Sequence, residues 1–362
     1  MGQTITKYFT FMAPTPSYMK HNFKTITKRF RFDGSEIPYV FIQPEKSLLK
    51  QRNQKKRSEN TLESKIIQVD NDNWTILFSH GNSFDLGLCL PFLEFLSQQL
   101  QVNVCCYDYT GYGQNHGEAS EENCLRDVED VYHFLLKNGV SPEKIILMGH
   151  SLGGGVTLSF AKKLCQNFHS DEFEMTEMME FCEKYEEWDN FEFLEMSEMN
   201  QELEKTGEIN EKCEILKNSE NNEIYENNEI LKNIEKCENY QNYQNEIFHQ
   251  HHQIESIGIA GIITISTFTS IVGVVSSLAE NILYNMFDNK NTINKICVPL
   301  YILHGEKDEL IHPNQAIELY DHVKKEYKFG ISLIPDANHN DILFNPLFIE
   351  NIKEFLMKLE QY

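Results

Sequence analysis

The sequence predicts an α/β fold: a mostly parallel central sheet flanked by helices and interrupted by one long acidic insertion. Short apolar runs ending in turn residues, at Trp74–Ser79, Val102–Tyr107, Lys144–Gly149, Gly258–Ser266 and Pro299–Gly305, have the character of strands buried on both faces. Between them lie stretches with helical spacing, and strands alternating with helices make right-handed βαβ units. Over residues 166–255 the composition changes abruptly, with 25 Asp and Glu against 6 Lys and no Arg.

Taken in order, residues 1–24 precede the fold. The first part of the sheet domain, 25–165, opens on alternating apolar and polar residues either side of Phe32-Asp33-Gly34-Ser35, a hairpin signal. Residues 45–65 read as a basic loop, and residues 1–65 together hold 13 Lys and Arg against 5 Asp and Glu. Helices are expected over Leu125–Lys137, with Val128, Val131, Phe134 and Leu135 on one face, and over Leu152–Leu164, with Val156, Phe160 and Leu164. The second part of the domain, 256–362, continues with strands and closes on a helix over Leu347–Tyr362, striped by Ile352, Phe355, Leu356 and Leu359. Residues 267–296 carry apolar Ile271, Val274, Val275, Leu278, Ile282 and Leu283, either a small cap over an acyl groove or ordinary helix core.

The insertion 166–255, rich in Glu, Asn, Met and Gln, is too charged for the apolar burial that offsets ordering entropy. The helix after residue 151 starts at the carboxyl edge of the sheet, so the insertion leaves from the opposite edge and is not expected to be a lid. No run of 18 apolar residues exists and no secretory leader is legible, so a cytosolic chain with reduced cysteines is expected. No metal, cofactor or nucleic acid is implied.

Gly149-His150-Ser151-Leu152-Gly153 is a G-x-S-x-G placed after an apolar strand and before a helix, the context of a nucleophile elbow. A serine hydroxyl needs a base, and the base needs a third group to fix its tautomer. Asp308 follows the strand 301–305, and His339 lies in the loop after a final strand at 331–334. Ser, Asp and His in that chain order are the arrangement of the α/β-hydrolase fold. The backbone N–H groups of Leu152 and of Asn82, in Ser79-His80-Gly81-Asn82-Ser83, are the expected oxyanion donors. His80, His150 and His304 read as turn or packing residues, and Asp341 as a weaker rival to Asp308.

LFSHGNSFDLG (77–87), YDYTGYGQNHGEAS (107–120), GHSLGG (149–154), LHGEKDELI (303–311) and ANHNDI (337–342) are similar to blocks of the α/β-hydrolase domain-containing protein 17 family. FMAPTPSY (11–18) resembles a Pro-rich segment upstream of that family's fold. The resemblance implies a membrane-associated protein depalmitoylase with its triad at Ser151, Asp308 and His339. The family's N-terminal cysteine cluster is missing, the first cysteine being Cys89, and the insertion is foreign to it. Met1-Gly2-Gln3-Thr4-Ile5-Thr6 matches the myristoylation pattern, and the basic balance of residues 1–65 offers the second signal that a single acyl chain needs.

The expected protein is a serine hydrolase that removes S-palmitoyl groups from proteins, peripheral to the cytosolic face of a plasma or endosomal membrane. A lipid esterase or monoacylglycerol-type lipase with the same triad is one rival. A non-catalytic adaptor working through the insertion, whose partner is unknown, is another.

Overall fold

Strand β1 (Ile26–Phe30) turns back on β2 (Glu36–Ile42) in antiparallel register, Phe30 opposite Glu36 and Ile26 opposite Val40, as the alternation around residues 32–35 predicts. The computed structural model describes residues 10–19, 26–30, 36–44, 73–184, 258–271 and 285–361. The hairpin turn, Gly2, the basic loop, most of the insertion and the apolar residues 274–283 lie outside these. Contacts divide the chain into two units, Met1–Asn167 with Ser256–Tyr362, and Phe168–Glu255.

The first unit holds the sheet. After β2 come β3 (Thr75–Ser79), α1 (Leu86–Leu100), β4 (Asn103–Tyr107), α2 (Glu121–Lys137), β5 (Ile145–His150) and α3 (Leu152–Lys184), whose end enters the second unit. Then follow β6 (Gly261–Ile265), α4 (Asn289–Ile293), β7 (Leu300–Gly305), α5 (Asn314–His322), β8 (Lys328–Ile334) and α6 (Pro346–Leu359). The order across the sheet is β1-β2-β4-β3-β5-β6-β7-β8, with β3 to β8 parallel and β2 antiparallel to β4. From β3 the chain winds first toward β4 and then back past β3 to β5. This reversal opens a crevice at the carboxyl ends of β3 and β5, where parallel sheets bind ligands.

Period-two alternation gives each face of the sheet its own core. Ile145 and Leu147 of β5 pack with Val128, Val131, Val156 and Phe160 of α2 and α3. Ile146 and Met148 pack on the other face with Leu86, Leu93, Ile352 and Phe355 of α1 and α6. Burying one such side chain contributes about 1.5–3 kcal/mol, so the strands are held from both sides.

Helix ends differ from the spacing-based expectations for local reasons. α2 begins four residues before Leu125 because the Ser120 side chain accepts from the Asn123 N–H and Glu121 and Glu122 occupy its positive first turn. α3 continues past Leu164 to Lys184, since this stretch holds good helix formers and no Pro or Gly to end it. α1, α4 and α5 were not legible, and Pro91 inside α1 obscures that helix. Among the described residues no helix is long and apolar enough to cross a membrane.

Candidate active site

β5 ends at His150, and Ser151 sits in the turn to α3 with φ of 54°, a left-handed value uncommon for a residue with a side chain. Its N–H donates to the Ile265 carbonyl at 2.9 Å, which ties the turn to β6. The neighbouring glycines are steric necessities. A Cβ on Gly149 would collide with the carbonyl of Gly153, and one on Gly153 with the carbonyl of Ser79 at the end of β3. The backbone strain at Ser151 is therefore maintained by close packing of β3, β5 and α3, which presents the side chain at the carboxyl edge of the sheet.

Asp308 and His339 meet in the neighbouring loops. His339 Nδ1 and Asp308 Oδ2 are 2.7 Å apart, with Asp308 3% and His339 8% exposed. Asp308 Oδ1 accepts from the N–H groups of Leu310 at 2.9 Å and Ile311 at 2.8 Å. Burial works against the charge of Asp308, but donors from His304, His339 and Ile311 outweigh it and hold the carboxylate well below its usual range. An ionised Asp308 fixes the proton of His339 on Nδ1 and leaves Nε2 an acceptor. Asp341 is engaged elsewhere, its Oδ1 accepting from the Asn338 N–H at 2.6 Å.

Two histidines expected to serve turns or packing, His304 and His150, brace this pair. His304 Nε2 faces two acceptors, the Ile311 carbonyl at 2.7 Å and Asp308 Oδ2 at 3.3 Å, so that nitrogen carries the proton and aims it at the carboxylate. His150, next to Ser151, donates from Nε2 to the His339 carbonyl at 2.8 Å. Burial, followed by the proximity of His339, pushes His150 down to about 3, so it is a neutral strut between elbow and base loop. Their partners lie across loops, and the only sequence signal for either is a histidine ending a buried strand. The Ser151 hydroxyl makes no hydrogen bond among the described residues. Hydrogen bonds of the serine–histidine kind are often long or unformed before substrate binds and tighten in the complex.

Asn82 follows β3, and its side chain is pinned by the Met12 N–H at 2.9 Å and the Tyr112 hydroxyl at 2.6 Å. Neither the Asn82 nor the Leu152 backbone N–H donates to a backbone carbonyl among the described residues. Phe78, Phe84, Leu88, Phe92 and Phe344 line an apolar cavity of about 100 Å³ that also touches Gly81 and His150. Leu88 and Phe344 carry this apolar surface outward, at 47% and 55% exposure. On the other side His339 borders an open depression with Lys307, Glu309, Leu310 and Asp336.

A family profile for the α/β-hydrolase fold matches residues 75–346. The α/β-hydrolase domain-containing protein 17C of Xenopus tropicalis is 43% identical over 91 residues, 25% of this chain and 29% of that protein. The Caenorhabditis elegans α/β-hydrolase domain-containing protein aho-3 is 33% identical over 165 residues, 44% of this chain and 48% of that protein. The matched stretches thus span between under a third and about half of these relatives' lengths. Among solved structures the Pyrococcus furiosus esterase Pf2001 superposes with a TM-score of 0.50 at 14% identity, covering 96% of this chain and 99% of that one, a likeness of fold. The chain belongs to the α/β-hydrolase fold family, and its sequence is similar to the α/β-hydrolase domain-containing protein 17 proteins.

Proposed function

We propose that the protein is a serine hydrolase of long-chain acyl thioesters, removing S-palmitoyl groups from proteins at a membrane surface. The observation that carries the hydrolase reading is the buried Asp308–His339 hydrogen bond braced against the Ser151 elbow. In the proposed reaction Ser151 Oγ attacks the acyl carbonyl while His339 Nε2 takes its proton. The tetrahedral oxyanion is held by the amides of Leu152 and Asn82, and Asp308 stabilises the imidazolium. The thiol leaves with the proton from His339. Water, activated by the same imidazole, then releases the fatty acid and restores the serine. No cofactor enters this scheme.

The apolar cavity beside the oxyanion loop and the exposed Leu88 and Phe344 favour an aliphatic acyl chain over a polar one. The similarity to the domain-containing protein 17 proteins supports the thioester and a protein substrate. Hydrolysis of a palmitoyl thioester beside its matched oxygen ester is the test. Turnover that favours the thioester is expected. Preference for the oxygen ester would make the protein a lipid esterase, and turnover of neither by a folded enzyme would leave a non-catalytic adaptor acting through residues 166–255.

For attachment we propose an acyl group on Gly2 acting with the basic residues of 1–65, since each Lys or Arg near an anionic leaflet contributes about 1 kcal/mol and one myristoyl chain alone binds marginally. Gly2→Ala is expected to move the protein from the membrane to the soluble fraction of lysed cells. Undiminished sedimentation with membranes would dismiss the acyl anchor.

A further inference from the structure

Residues 10–18 lie across the carboxyl edge of the sheet and are fastened at both ends, at residues 10–12 and at residues 17–18. The Thr10 hydroxyl meets Met286 Sδ at 3.9 Å, and the Phe11 ring stands 6.4 Å from that of Phe287. Met12 then donates its N–H to Asn82 Oδ1 at 2.9 Å. Ser17 gives both donors to Asp85, its N–H to Oδ2 at 2.6 Å and its hydroxyl to Oδ1. Tyr18, 3% exposed, donates its hydroxyl to Asp108 Oδ2, and its carbonyl accepts from Gln114 Nε2 at 3.2 Å. One glycine is cut to fit it: a Cβ on Gly87 would strike the Ser17 hydroxyl and crowd Tyr18, whereas one on Gly113 would collide first with the Asp108 carboxyl group to which Tyr18 donates.

The acceptors of these bonds have a common feature. Asn82 carries one proposed oxyanion donor. Asp85, three residues on, caps α1 through the Leu88 N–H at 3.0 Å. Asp108 accepts the N–H of Leu86, the first residue of α1, at 2.9 Å. The segment therefore grips the 81–87 loop at both ends, directly at Asn82 and Asp85 and through Asp108 at Leu86. Asp85 and Asp108 are fully buried, burial pushing Asp108 up to about 7, and buried polar groups are tolerated only where hydrogen bonds satisfy them. Removing the segment would strip one donor from Asn82, two from Asp85 and one from Asp108, and leave the loop to reorganise around them.

We infer that residues 11–18 are a strap that positions the Asn82 amide for the oxyanion, with Ser17 and Tyr18 as its positioning residues. This inference rests on the hydrolase reading for its chemistry, though not for its geometry. A preorganised donor counts only when it is held where the oxyanion will form. Loss of one such donor outright costs about 10²-fold to 10³-fold in kcat, and a displaced one a part of that.

The test is the Ser17→Ala/Tyr18→Phe double variant of the full chain, with Tyr132→Phe as the comparison, because Tyr132 also loses a hydroxyl bond, a part-buried one to the Gly258 carbonyl at 2.7 Å, away from the strap. On an activated short-chain ester the strap variant is expected to lose about 10-fold to 100-fold in kcat with little change in KM. Inhibition by an alkyl trifluoromethyl ketone, whose adduct carries the oxyanion, should weaken in parallel, while the matching methyl ketone binds unchanged. Amide hydrogen exchange over residues 81–87 should quicken in the strap variant and not in Tyr132→Phe. Unchanged kcat overturns the inference. So does a loss that follows melting temperature equally in both variants, or one that weakens both ketones alike. If the wild type hydrolyses no ester, the hydrolase reading fails, and the exchange measurement alone decides the strap, with unchanged exchange at 81–87 refuting it.

Discussion

Ser151→Ala is expected to lower kcat on any acyl ester that the wild type turns over by about 10⁵-fold to 10⁶-fold, with the fold intact. In the proposed mechanism the serine oxygen forms the new bond, so without it only the proposed oxyanion donors and substrate binding would remain. Folding should be spared because the hydroxyl has no hydrogen-bond partner among the described residues, so its removal orphans no buried group. Ser151→Gly separates chemistry from strain further. At φ of 54° a Cβ is a liability, and glycine should restore about 1 kcal/mol of stability while abolishing turnover as completely as alanine does. Thermal melts beside burst kinetics would establish both. An alanine variant that retained wild-type turnover would remove Ser151 from the mechanism. A glycine variant less stable than wild type would show that the elbow is not strained.

The elbow is legible in the sequence because its causes are local. A buried strand, two glycines that neighbours cannot spare and a following helix all fall within 145–164. The Ser, Asp, His order is legible for a related reason, since each residue ends a strand or follows one. What braces the site is not legible. His150 finds the His339 carbonyl 189 residues away, and no pattern near residue 150 forecasts it. His304 reaches Asp308 across a loop whose shape depends on Ile311 turning its carbonyl inward. α1 was missed because it is apolar on most sides and contains Pro91, so neither periodicity nor the absence of breakers announces it. The segment 11–18 stands out in sequence as a Pro-rich motif, yet its grip on Asn82, Asp85 and Asp108 is purely tertiary. Periodicity and turn chemistry reveal strands, helices and the residues at their ends, whereas the contacts that orient those residues come from chain segments far apart in sequence.

Asp308→Asn is expected to lower kcat by about 10⁴-fold while leaving the protein folded. The geometry dictates how. Two backbone N–H groups, of Leu310 and Ile311, point at Oδ1, so the asparagine must keep its oxygen there and place its amide nitrogen where Oδ2 was. That nitrogen faces His339 Nδ1 at the distance of a hydrogen bond and can only donate to it. His339 is then forced into the tautomer with its proton on Nε2, where it cannot take one from Ser151. The same nitrogen faces the N–H of His304, donor against donor, which loosens the loop but leaves His304 its bond to the Ile311 carbonyl. Asp341→Asn is the contrast, because among the described residues the Asp341 side chain serves only the Asn338 amide and an asparagine oxygen replaces it; kcat there should stay within a few-fold of wild type. Steady-state kinetics on both variants, with the folded fraction measured alongside, decides between the two acids. A large loss at Asp341 with little at Asp308 would mean that the base is oriented from the His339 loop itself, and the strand-end carboxylate would then be a structural cap.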